Sequence, residues 1–579
     1  MIDPGDIELR LVRTQTDLEE FWHWLEGRYG SYVAFDTETT GLDWTEYAHL
    51  RLAQFGDTDI GWVLPARWFG REIFWAIEHL LETDTPLVIH NASFDLHTMR
   101  EAEMPHIPWS SVVDTMTLLH LNDNSLPRSL KGYGVAKVVG PWAQAGGKLL
   151  TEEFVKMGLS KSEGFRHIPI ENEVYWAYSA LDPVITARVF EELKHLRGEF
   201  PEAYEREHDF ASITYGMTQR GVMLDTAVAR ERHAEFTERA AKLKQQLIEL
   251  GVEEPGKDSS ALRRLEELGW VPSKLTPTGN PAFDKEIKER LAERDDDIGD
   301  LVSLLMDYGR TTKWLSTYLD KFVGGTGMVH VQPSMMPIGT DTGRSVVTDP
   351  PLQTQPAELR SLFKPRPGHV WCSIDFQSQE PRLLAHFTQS EELLQFFREG
   401  EGSMHDFVAA KLFGENFTPE QRAVAKMMGL ARAYSAGADT LASRTGFPPE
   451  QVKRFLVEYD ALMGLDVLEA KINRRRPKRA HTIGGRVLKA KHGASHKLLN
   501  YTAQGSGADV MKDACRRLVK AGFEEYMLLT VYDEVCFEFP EDRAEELMAE
   551  AMGIMTDDSL SVLLPVGGKL GTDWAEASK

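Results

Sequence analysis

The chain has 579 residues, of which 42% are hydrophobic and 27% charged, and its net charge is -24 at pH 7. That length is several times the usual size of one domain, so we expect three to four packed units. The composition is ordinary for a soluble globular protein, and no apolar run approaches the roughly 20 residues of a membrane helix, which excludes a membrane partner.

The first 200 residues or so alternate strand-like and helix-like runs, which predicts an α/β domain. The opening segment MIDPGDIELR is acidic and polar, unlike a secretory or transit peptide. Two segments, SYVAFDTETTGLD and TPLVIHNASFD, read as strands, and EVYWAYSALDPVITARVFEELKHL reads as a long amphipathic helix.

Four carboxylates and a tyrosine in this region have spacings that favour a shared site. Asp36 and Glu38 lie two apart in a strand-like run and so point to one face, and Asp95 follows in HNASFDLHTM. Tyr178 and Asp182 lie one helical turn apart in YSALD. Hydrolysis of a phosphodiester uses a pair of divalent cations, and Mg²⁺ prefers several hard oxygen ligands. The four acids therefore predict a metal site, with the tyrosine orienting the water, although any one acid alone is more often a surface residue or a helix cap.

The three motifs, in this order and spacing, resemble the DEDD exonuclease superfamily in its tyrosine-containing branch. The resemblance implies an RNase H-like 3′→5′ exonuclease domain over residues 1–200, with two Mg²⁺ ions and Mn²⁺ as the alternative. Asp114, in VVDTMTLL, matches a further segment of that family, and we interpret it as structural.

The pattern becomes mostly helical from about residue 205 to 320, with turn-rich interruptions at EEPGKDSS and LTPTGNPAFD. Strand-like segments such as HVWCSIDF and MLLTVYDEVCFEF return after residue 330, separated by a long helical insert. We expect a composite domain whose sheet is completed after that insert. The cysteines, Cys372, Cys515 and Cys536, fit no zinc or redox spacing, which predicts reduced thiols in a cytoplasmic protein.

A second set of acids lies on these two strand-like segments. Asp375 ends the run in SIDFQSQEPR and is followed by Glu380 and Arg382, while Asp533 and Glu534 lie in a predicted turn in VYDEVCFEF. An acid beside a buried apolar run needs a partner or a metal. The two groups of acids can meet only if their strands share a sheet.

The insert contains a predicted helix, TPEQRAVAKMMGLARAYSAG, whose Thr418 and Gln421 have capping-box spacing. Residues at every fourth position form one face of this helix: Arg422, Lys426, Leu430 and Tyr434. Basic side chains at this spacing can bind a triphosphate and an aromatic ring can stack on a base, but an ordinary amphipathic helix would show basic residues too.

A basic run extends over residues 471–497, with ten Lys and Arg and no acid. A solvated surface is the ordinary explanation of such a run, and the net charge of the chain is negative. Phosphate binding needs only a local basic stripe, so a nucleic-acid contact stays open.

The helix with its R-x3-K-x7-Y pattern resembles the fingers helix of family A DNA polymerases, the polymerase I family. SIDFQSQEPR resembles the first palm motif of that family and VYDEVCFEF the last. Further matching segments lie in the right order: DTGRSVVTDPPLQTQP with Arg344, GSMHDFVAAKLFG with His405, LLNYTAQGSGADVMK with Asn500 and Gln504, YGRTTKWLSTYL, and GTDWAEA.

The resemblance implies a multidomain α/β and α+β fold, in which the RNase H-like domain precedes a right-hand polymerase. The expected ranges are thumb 205–330, palm 331–400 with 505–579, and fingers 401–504. It implies a DNA-directed DNA polymerase with a proofreading exonuclease, which acts on primer–template DNA with dNTPs and two Mg²⁺ ions. A processivity factor, a helicase or a single-strand-binding protein is an expected further partner.

The family resemblance also assigns roles to individual residues. It makes Asp375 and Asp533 the metal ligands of the polymerase, and Glu534 and Lys426 further catalytic residues. The implied dNTP contacts are Arg422, Lys426, His405, Tyr434, Leu430 and Glu380, of which Glu380 would exclude a ribose 2′-hydroxyl. The implied primer–template contacts are Arg344, Arg382, Asn500 and Gln504, with phosphate contacts from the basic run 471–497.

This sequence departs from the family pattern at five places. Leu430 stands where an aromatic residue is usual, Ser435 replaces a glycine, and Tyr532 replaces a histidine. Gln379 and Pro381 stand where aliphatic residues are usual. We expect altered nucleotide discrimination, including strong discrimination against dideoxynucleotides that Leu430→Tyr relieves, because leucine offers no polar atom to replace the missing 3′-hydroxyl.

The chain begins at the exonuclease region, with no 5′ nuclease before it, which favours a bacteriophage replicative polymerase over a shortened bacterial enzyme. Three rival functions remain to be separated. An exonuclease of the RNase D type would leave the second acidic set unexplained, a single-subunit RNA polymerase would lack the first set, and a DNA-binding scaffold would need neither.

Overall fold

The structure is a computed structural model that describes residues 7–41, 49–272, 274–276, 279–324, 326–399, 402–433, 438, 441–442 and 447–578. The N-terminal region contains the strands β1 (Glu8–Leu11), β2 (Val33–Thr39), β3 (Leu50–Gly56), β4 (Ile60–Pro65), β5 (Leu87–Ile89) and β6 (Val112–Asp114). Its helices are α1 (Gln15–Glu26), α2 (Ala66–Glu82), α3 (Ala92–Glu101), α4 (Thr115–Asp123), α5 (Tyr133–Val139), α6 (Ala145–Lys156), α7 (Lys161–His167), α8 (Glu173–Leu193) and α9 (Leu196–Glu199).

The six strands form one sheet in the order β1-β4-β3-β2-β5-β6. Strand β3 runs antiparallel to both of its neighbours, and the other pairs are parallel. Helices pack on both faces, so the predicted α/β domain is confirmed.

Helix α8 forms where the sequence predicts it, but the expectation of an amphipathic helix was wrong. All residues from Ser179 to Ala187 are buried, because α8 lies between the sheet and the helices α4, α5 and α6. Gly61 on β4 permits this close packing, since a Cβ atom there would lie 1.8 Å from the carbonyl oxygen of Ala180.

The next region is mostly helical, as predicted. Its elements are α10 (Pro201–Arg220), β7 (Val222–Asp225), α11 (Thr226–Glu249), α12 (Asp258–Glu267), α13 (Lys285–Ala292), α14 (Asp297–Trp314), α15 (Asp320–Phe322) and β8 (Met328–Val331). Strand β7 pairs with β8 and with the later strand β11 (Phe363–Lys364), so this region is tied to the one that follows.

The C-terminal part contains the remaining strands and helices. The strands are β9 (Ser334–Met336), β10 (Val346–Thr348), β12 (His369–Phe376), β13 (Ala480–His481), β14 (Val487–Leu488), β15 (Met527–Val531), β16 (Glu534–Pro540) and β17 (Val566–Gly571). The helices are α16 (Gln379–Thr388), α17 (Glu391–Glu399), α18 (Met404–Phe413), α19 (Pro419–Ala433), α20 (Pro449–Met463), α21 (Leu465–Arg474), α22 (Leu498–Lys520), α23 (Ala544–Met555) and α24 (Trp574–Ala577).

A four-stranded antiparallel sheet in the order β15-β16-β12-β17 completes this part. Strand β12 precedes the helical insert and its neighbours follow it, so the predicted composite sheet is confirmed. The expected boundary at 504/505 falls inside the continuous helix α22, which therefore belongs to both expected units.

The three cysteines, Cys372, Cys515 and Cys536, are free and buried. Among the helices in the described ranges, none has both the length and the apolar character needed to span a bilayer.

Candidate active sites

Three carboxylates form the floor of a cleft in the N-terminal domain. Asp36 and Glu38 project from one face of β2, and Asp182 projects toward them from α8, so that ligand atoms of the three lie within 4.8 Å of one another. Carboxylate oxygens at this separation are the hard donors that Mg²⁺ prefers, so the residues fit a divalent cation.

Asp95 lines the same cleft from α3 and accepts a hydrogen bond from the Thr37 hydroxyl at 2.7 Å. The chain enters α3 through Asn91, whose φ of 64° is left-handed, a conformation that asparagine tolerates. Asp114 accepts hydrogen bonds from the backbone N–H groups of Asn91 and Ala92, each at 3.0 Å. Asp114 thus fixes the start of the helix that carries Asp95, which agrees with the prediction that Asp114 has a structural role.

Burial disfavours the charged form of all four acids. It raises the pKa of Glu38 and the pKa of Asp95 to about 8. The pKa of Asp36 is raised by burial and by the charges of the neighbouring acids, and the pKa of Asp182 is raised by burial. Keeping all four ionised therefore requires compensating positive charge, which divalent cations can supply.

Lys131 brings a cation to this centre that the sequence analysis missed. Its ammonium contacts the carboxylate of Asp182 and lies 3.2 Å from the ring centroid of Tyr178. A single lysine in a polar loop between α4 and α5 gives no sequence signal of this role. The predicted pair Tyr178 and Asp182 does share one face of α8.

The cleft has a volume of about 1170 Å³ and aromatic and basic walls. Phe154, which is 2% exposed, packs edge to face against the partly exposed Phe165, with ring centroids 5.1 Å apart. Arg51 holds this wall to the sheet by donating hydrogen bonds to the carbonyl oxygens of Phe165 and Ile168. An accessible aromatic ring can stack on a base, so Phe165 makes the cleft suitable for a single-stranded end.

The second acidic set lies at one end of the C-terminal sheet. Asp375 on β12 stands directly opposite Glu534 on β16, and the backbone N–H of Phe376 donates to the carbonyl oxygen of Asp533 at 3.1 Å. The strands therefore bring the acids together as expected, except that Glu534 begins β16 and is not part of the turn. Burial and the charge of Asp375 raise the pKa of Asp533.

The turn that carries Asp533 has an unusual backbone. Tyr532 adopts a φ of 58°, in the left-handed region that favours glycine, and its side chain is 53% exposed. A bulky residue held in this conformation costs free energy, of order 1–3 kcal/mol, and such residues concentrate at functional sites.

Glu380 forms an ion pair with Arg344, and both side chains are about a third exposed or less. Arg382 donates hydrogen bonds to the carbonyl oxygens of Gln377 at 3.1 Å and Leu563 at 2.8 Å. The guanidinium of Arg382 is thus engaged by the backbone of the protein, and its role at the primer–template stays a prediction.

Four of the predicted nucleotide and primer contacts line one cavity: Glu380, His405, Lys426 and Asn500. The capping box of α19 is confirmed, since the Thr418 N–H donates to the Gln421 side chain at 2.8 Å and the reciprocal bond is 3.3 Å. Arg422 lies one turn before Lys426 and pairs with Asp406.

Four predicted residues or departures from the family pattern remain. Tyr434, Ser435 and the side chain of Leu430 lie outside the described residues. Gln504 lies one turn after Asn500 on α22, so both occupy one helix face.

The expectation that the run 471–497 contacts template phosphates is wrong for Arg486. Arg486 is 1% exposed and pairs with Glu207 and Asp509, because it lies inside a buried ionic network. Lys489 is 3.2 Å from Asp123 and also donates to a backbone carbonyl of the N-terminal domain. The part between 471 and 478 is mostly exposed, and its contacts with template phosphates stay a prediction.

Comparisons with known proteins agree with this two-site arrangement. A model of the family described as DNA polymerase family A matches residues 226–576, and a model described as 3′-5′ exonuclease matches residues 9–196. These ranges divide the two acidic sets between them.

Similar proteins include the DNA polymerase of Mycobacterium phage D29, which is 27% identical over 95% of this chain and 95% of its own length. DNA polymerase I of Pseudomonas aeruginosa is 26% identical over 94% of this chain and 63% of its own length. Among solved structures, the POL domain of Pol1 from M. smegmatis in complex with DNA primer-template and dNTP matches with a TM-score of 0.74 and 20% identity. That match covers 98% of this chain and 100% of the solved chain, and it shows a shared fold.

Proposed function

Since the family model matches residues 226–576, the chain belongs to DNA polymerase family A, and we propose that it extends a primer 3′-hydroxyl with dNTPs and removes 3′ nucleotides at a separate centre. The family resemblance inferred from the motifs is confirmed. The chain is a DNA-directed DNA polymerase, a nucleotidyltransferase, with a 3′-5′ exonuclease domain. The observation that carries the proposal is the presence of two separate carboxylate sets, each at its own sheet.

In the polymerase, we propose that Asp375 and Asp533 hold two Mg²⁺ ions, with Glu534 beside them. Bound by these acids, the ions would supply the positive charge that activates the 3′-hydroxyl and offsets the charge of the departing pyrophosphate. The adjacency of β12 and β16 supports this assignment, since it holds the acids in fixed positions. The contribution of the protein is mainly the positioning of the reacting groups.

The nucleotide would enter between α19 and α16. Arg422, Lys426 and His405 bind its triphosphate, and Glu380 closes the space at the sugar 2′ position. The cavity shared by Lys426, His405 and Glu380 supports these roles. For Tyr434 and Leu430, stacking on the template base and reading of the sugar remain predictions from the sequence.

We propose that primer–template DNA lies across the palm, where Arg344, Asn500, Gln504 and Arg382 contact it. The M. smegmatis protein with the same fold was solved with DNA primer-template and dNTP, which supports this class of ligand. Exposed basic residues of 471–478 would add phosphate contacts.

In the exonuclease domain, Asp36, Glu38, Asp95 and Asp182 would hold the metal pair, and the Tyr178 hydroxyl would orient the attacking water. Mg²⁺ is the proposed ion and Mn²⁺ the alternative, because all donors are carboxylates. The partly exposed ring of Phe165 would stack on a base of a frayed strand.

The similarity to the polymerase of phage D29 over 95% of both chains supports a role in phage DNA replication in the cytoplasm of the infected host. A processivity factor, a helicase or a single-strand-binding protein stays an expected partner.

The test is an assay on a labelled primer annealed to a longer template, with Mg²⁺ and with dNTPs, with rNTPs, or with no nucleotide. We expect extension with dNTPs, little extension with rNTPs, and shortening of the primer without nucleotide. Extension that prefers rNTPs would indicate an RNA polymerase, and shortening under all conditions would indicate a nuclease alone.

A further inference from the structure

We propose that Lys131 is a positioning residue of the exonuclease centre, whose ammonium acts as a built-in counter-ion and competes with divalent cations for Asp182. This inference rests on the proposed assignment of Asp36, Glu38 and Asp182 as metal ligands. It goes beyond that assignment because it makes one side chain of this protein set the metal concentration that excision needs.

The first support is the position of the ammonium. It contacts the Asp182 carboxylate on one side and lies over the Tyr178 ring, 3.2 Å from its centroid, on the other. The side chains of Lys131 and Asp182 are only 16% and 6% exposed, so solvent screens this pair weakly. The two partners of Lys131 are the predicted metal ligand and the predicted water-orienting group.

The second support is the rigidity of the loop that carries Lys131. His90 is hydrogen-bonded through Nε2 to the carbonyl oxygen of Arg128 at 2.8 Å, and the N–H of Gly132 donates to the carbonyl of Ser129 at 2.7 Å. Gly134 packs so closely that a Cβ atom would lie 2.1 Å from the carbonyl oxygen of Pro127. The backbone on both sides of Lys131 is therefore fixed, and the ammonium is directed into the centre.

The third support is electrostatic. Ligand atoms of Asp36, Glu38 and Asp182 lie within 4.8 Å of one another, so a cation bound by all three would occupy space close to the ammonium. Like charges only a few ångströms apart in a partly buried site repel strongly. Lys131 must leave Asp182 when a metal binds, which lowers the metal affinity and raises the metal concentration needed for excision.

The test measures binding of Mn²⁺ to the full chain by electron paramagnetic resonance, in an Asp375→Asn, Asp533→Asn background that weakens the polymerase site. Lys131→Met removes the charge and keeps most of the aliphatic stem. We expect it to bind Mn²⁺ at the exonuclease centre about tenfold more tightly, about 1.4 kcal/mol. Lys131→Arg keeps the charge and is expected to bind Mn²⁺ as the parent chain does.

Lys148→Met is the matched control. Lys148 lines the same cleft but is 84% exposed and pairs with Glu152, so its removal should leave Mn²⁺ affinity unchanged. In the chain with an intact polymerase site, the Mg²⁺ concentration for half-maximal excision should fall in Lys131→Met and not in Lys148→Met.

Unchanged or weaker Mn²⁺ binding by Lys131→Met would overturn the inference. Lys131→Gln is a second uncharged variant, and unfolding of both variants would show a structural role and overturn it as well. An Asp36→Ala, Glu38→Ala chain should lose the Mn²⁺ ions counted at this centre. If that chain retained them, the proposed ligand assignment itself would fail, whatever Lys131→Met does, so the two failures are distinguishable.

Discussion

At the residue scale, the raised pKa values of the exonuclease acids would couple metal binding to the release of protons. Burial raises the pKa of Glu38 and that of Asp95 to about 8. A carboxyl whose pKa is higher in the folded chain than in the unfolded chain stabilises the fold below the unfolded pKa, and this stabilisation is lost as the pH rises through the folded pKa. Divalent cations replace the protons and should reverse the loss.

We therefore expect the metal-free chain to lose stability between about pH 4.5 and pH 8, and Mg²⁺ to restore more of it at pH 8 than at pH 6. Thermal unfolding in EDTA and in Mg²⁺ across this range measures the effect. Glu38→Gln carries no titrating group at this position, so its EDTA curve should fall less steeply. Parallel EDTA curves for both chains would contradict the burial argument.

Glu380 is the residue on which sugar discrimination is expected to depend. Glu380→Ala opens the space at the 2′ position, and we expect discrimination against rNTPs to fall about 10–200-fold, the usual effect of a small volume change in a pocket. Single-nucleotide insertion kinetics with dNTP and rNTP give the ratio.

The control is Glu380→Gln, which keeps the volume but breaks the ion pair with Arg344. It should retain most of the discrimination. If Glu380→Gln and Glu380→Ala lose the same discrimination against rNTPs, the ion pair of Glu380 with Arg344 is what matters, and the steric explanation is wrong.

At the scale of elements, the approach of α8 to the sheet decides whether the exonuclease centre forms. A Cβ atom at Gly61 would lie 1.8 Å from the carbonyl oxygen of Ala180, two residues before Asp182. Gly61→Ala must push α8 away from β4, and overpacking of this kind typically costs about 1–3 kcal/mol. We expect excision to fall at least about tenfold, since small misplacements of catalytic groups are costly, and extension to persist.

Gly70→Ala is the matched control, because nothing lies within 4 Å of a Cβ atom at that position. It should leave excision and the melting temperature close to those of the parent chain. Normal excision by Gly61→Ala would mean that the centre tolerates a displaced helix.

A buried ionic network joins three elements of the polymerase. Glu207 on α10 pairs with Arg486 from the β13–β14 hairpin and with Lys512 on α22, and Asp509 is the second partner of Arg486. These side chains are at most 2% exposed. Burial lowers the pKa of Lys512 to about 8, and Glu207 opposes that effect.

Glu207→Ala leaves Lys512 buried without its partner, and removal of one member of a buried pair typically costs about 3–5 kcal/mol. Urea unfolding should show that loss. Asp209→Ala on the same helix is the control, because its pair with Arg516 is 48% and 33% exposed, and such pairs contribute about 0–1 kcal/mol. Equal effects of the two substitutions would refute the importance of the network.

At the scale of the whole molecule, a buried amide is one of the contacts that join the two catalytic regions. Asn124 donates to the carbonyl oxygens of Asp341 at 2.9 Å and Lys489 at 3.0 Å, and accepts from the Lys489 N–H at 2.7 Å. Asn124 is 1% exposed. The exonuclease domain is therefore anchored to the segment between β9 and β10, through Asp341, and to the end of the β13–β14 hairpin, through Lys489.

The sequence predicted the acids that meet in the exonuclease cleft because their spacing is local. Asp36 and Glu38 lie two residues apart on a strand, and Tyr178 and Asp182 lie one turn apart on a helix. Each pair could therefore be recognised without knowledge of the fold. The residues it missed depend on tertiary packing. Lys131 reaches Asp182 from a distant loop, and Arg486 lies in a basic run that looks exposed but enters the core.

The central claim is that the chain carries two independent active sites, and reciprocal substitution tests it most directly. Excision of a single-stranded 3′ end and extension of an annealed primer are measured on the same preparations. Asp36→Ala with Glu38→Ala should abolish excision and leave extension nearly unchanged. Asp533→Asn should reduce extension by orders of magnitude and leave excision intact, since a neutral amide is a poorer ligand for Mg²⁺. Loss of both activities in either folded variant would contradict the account.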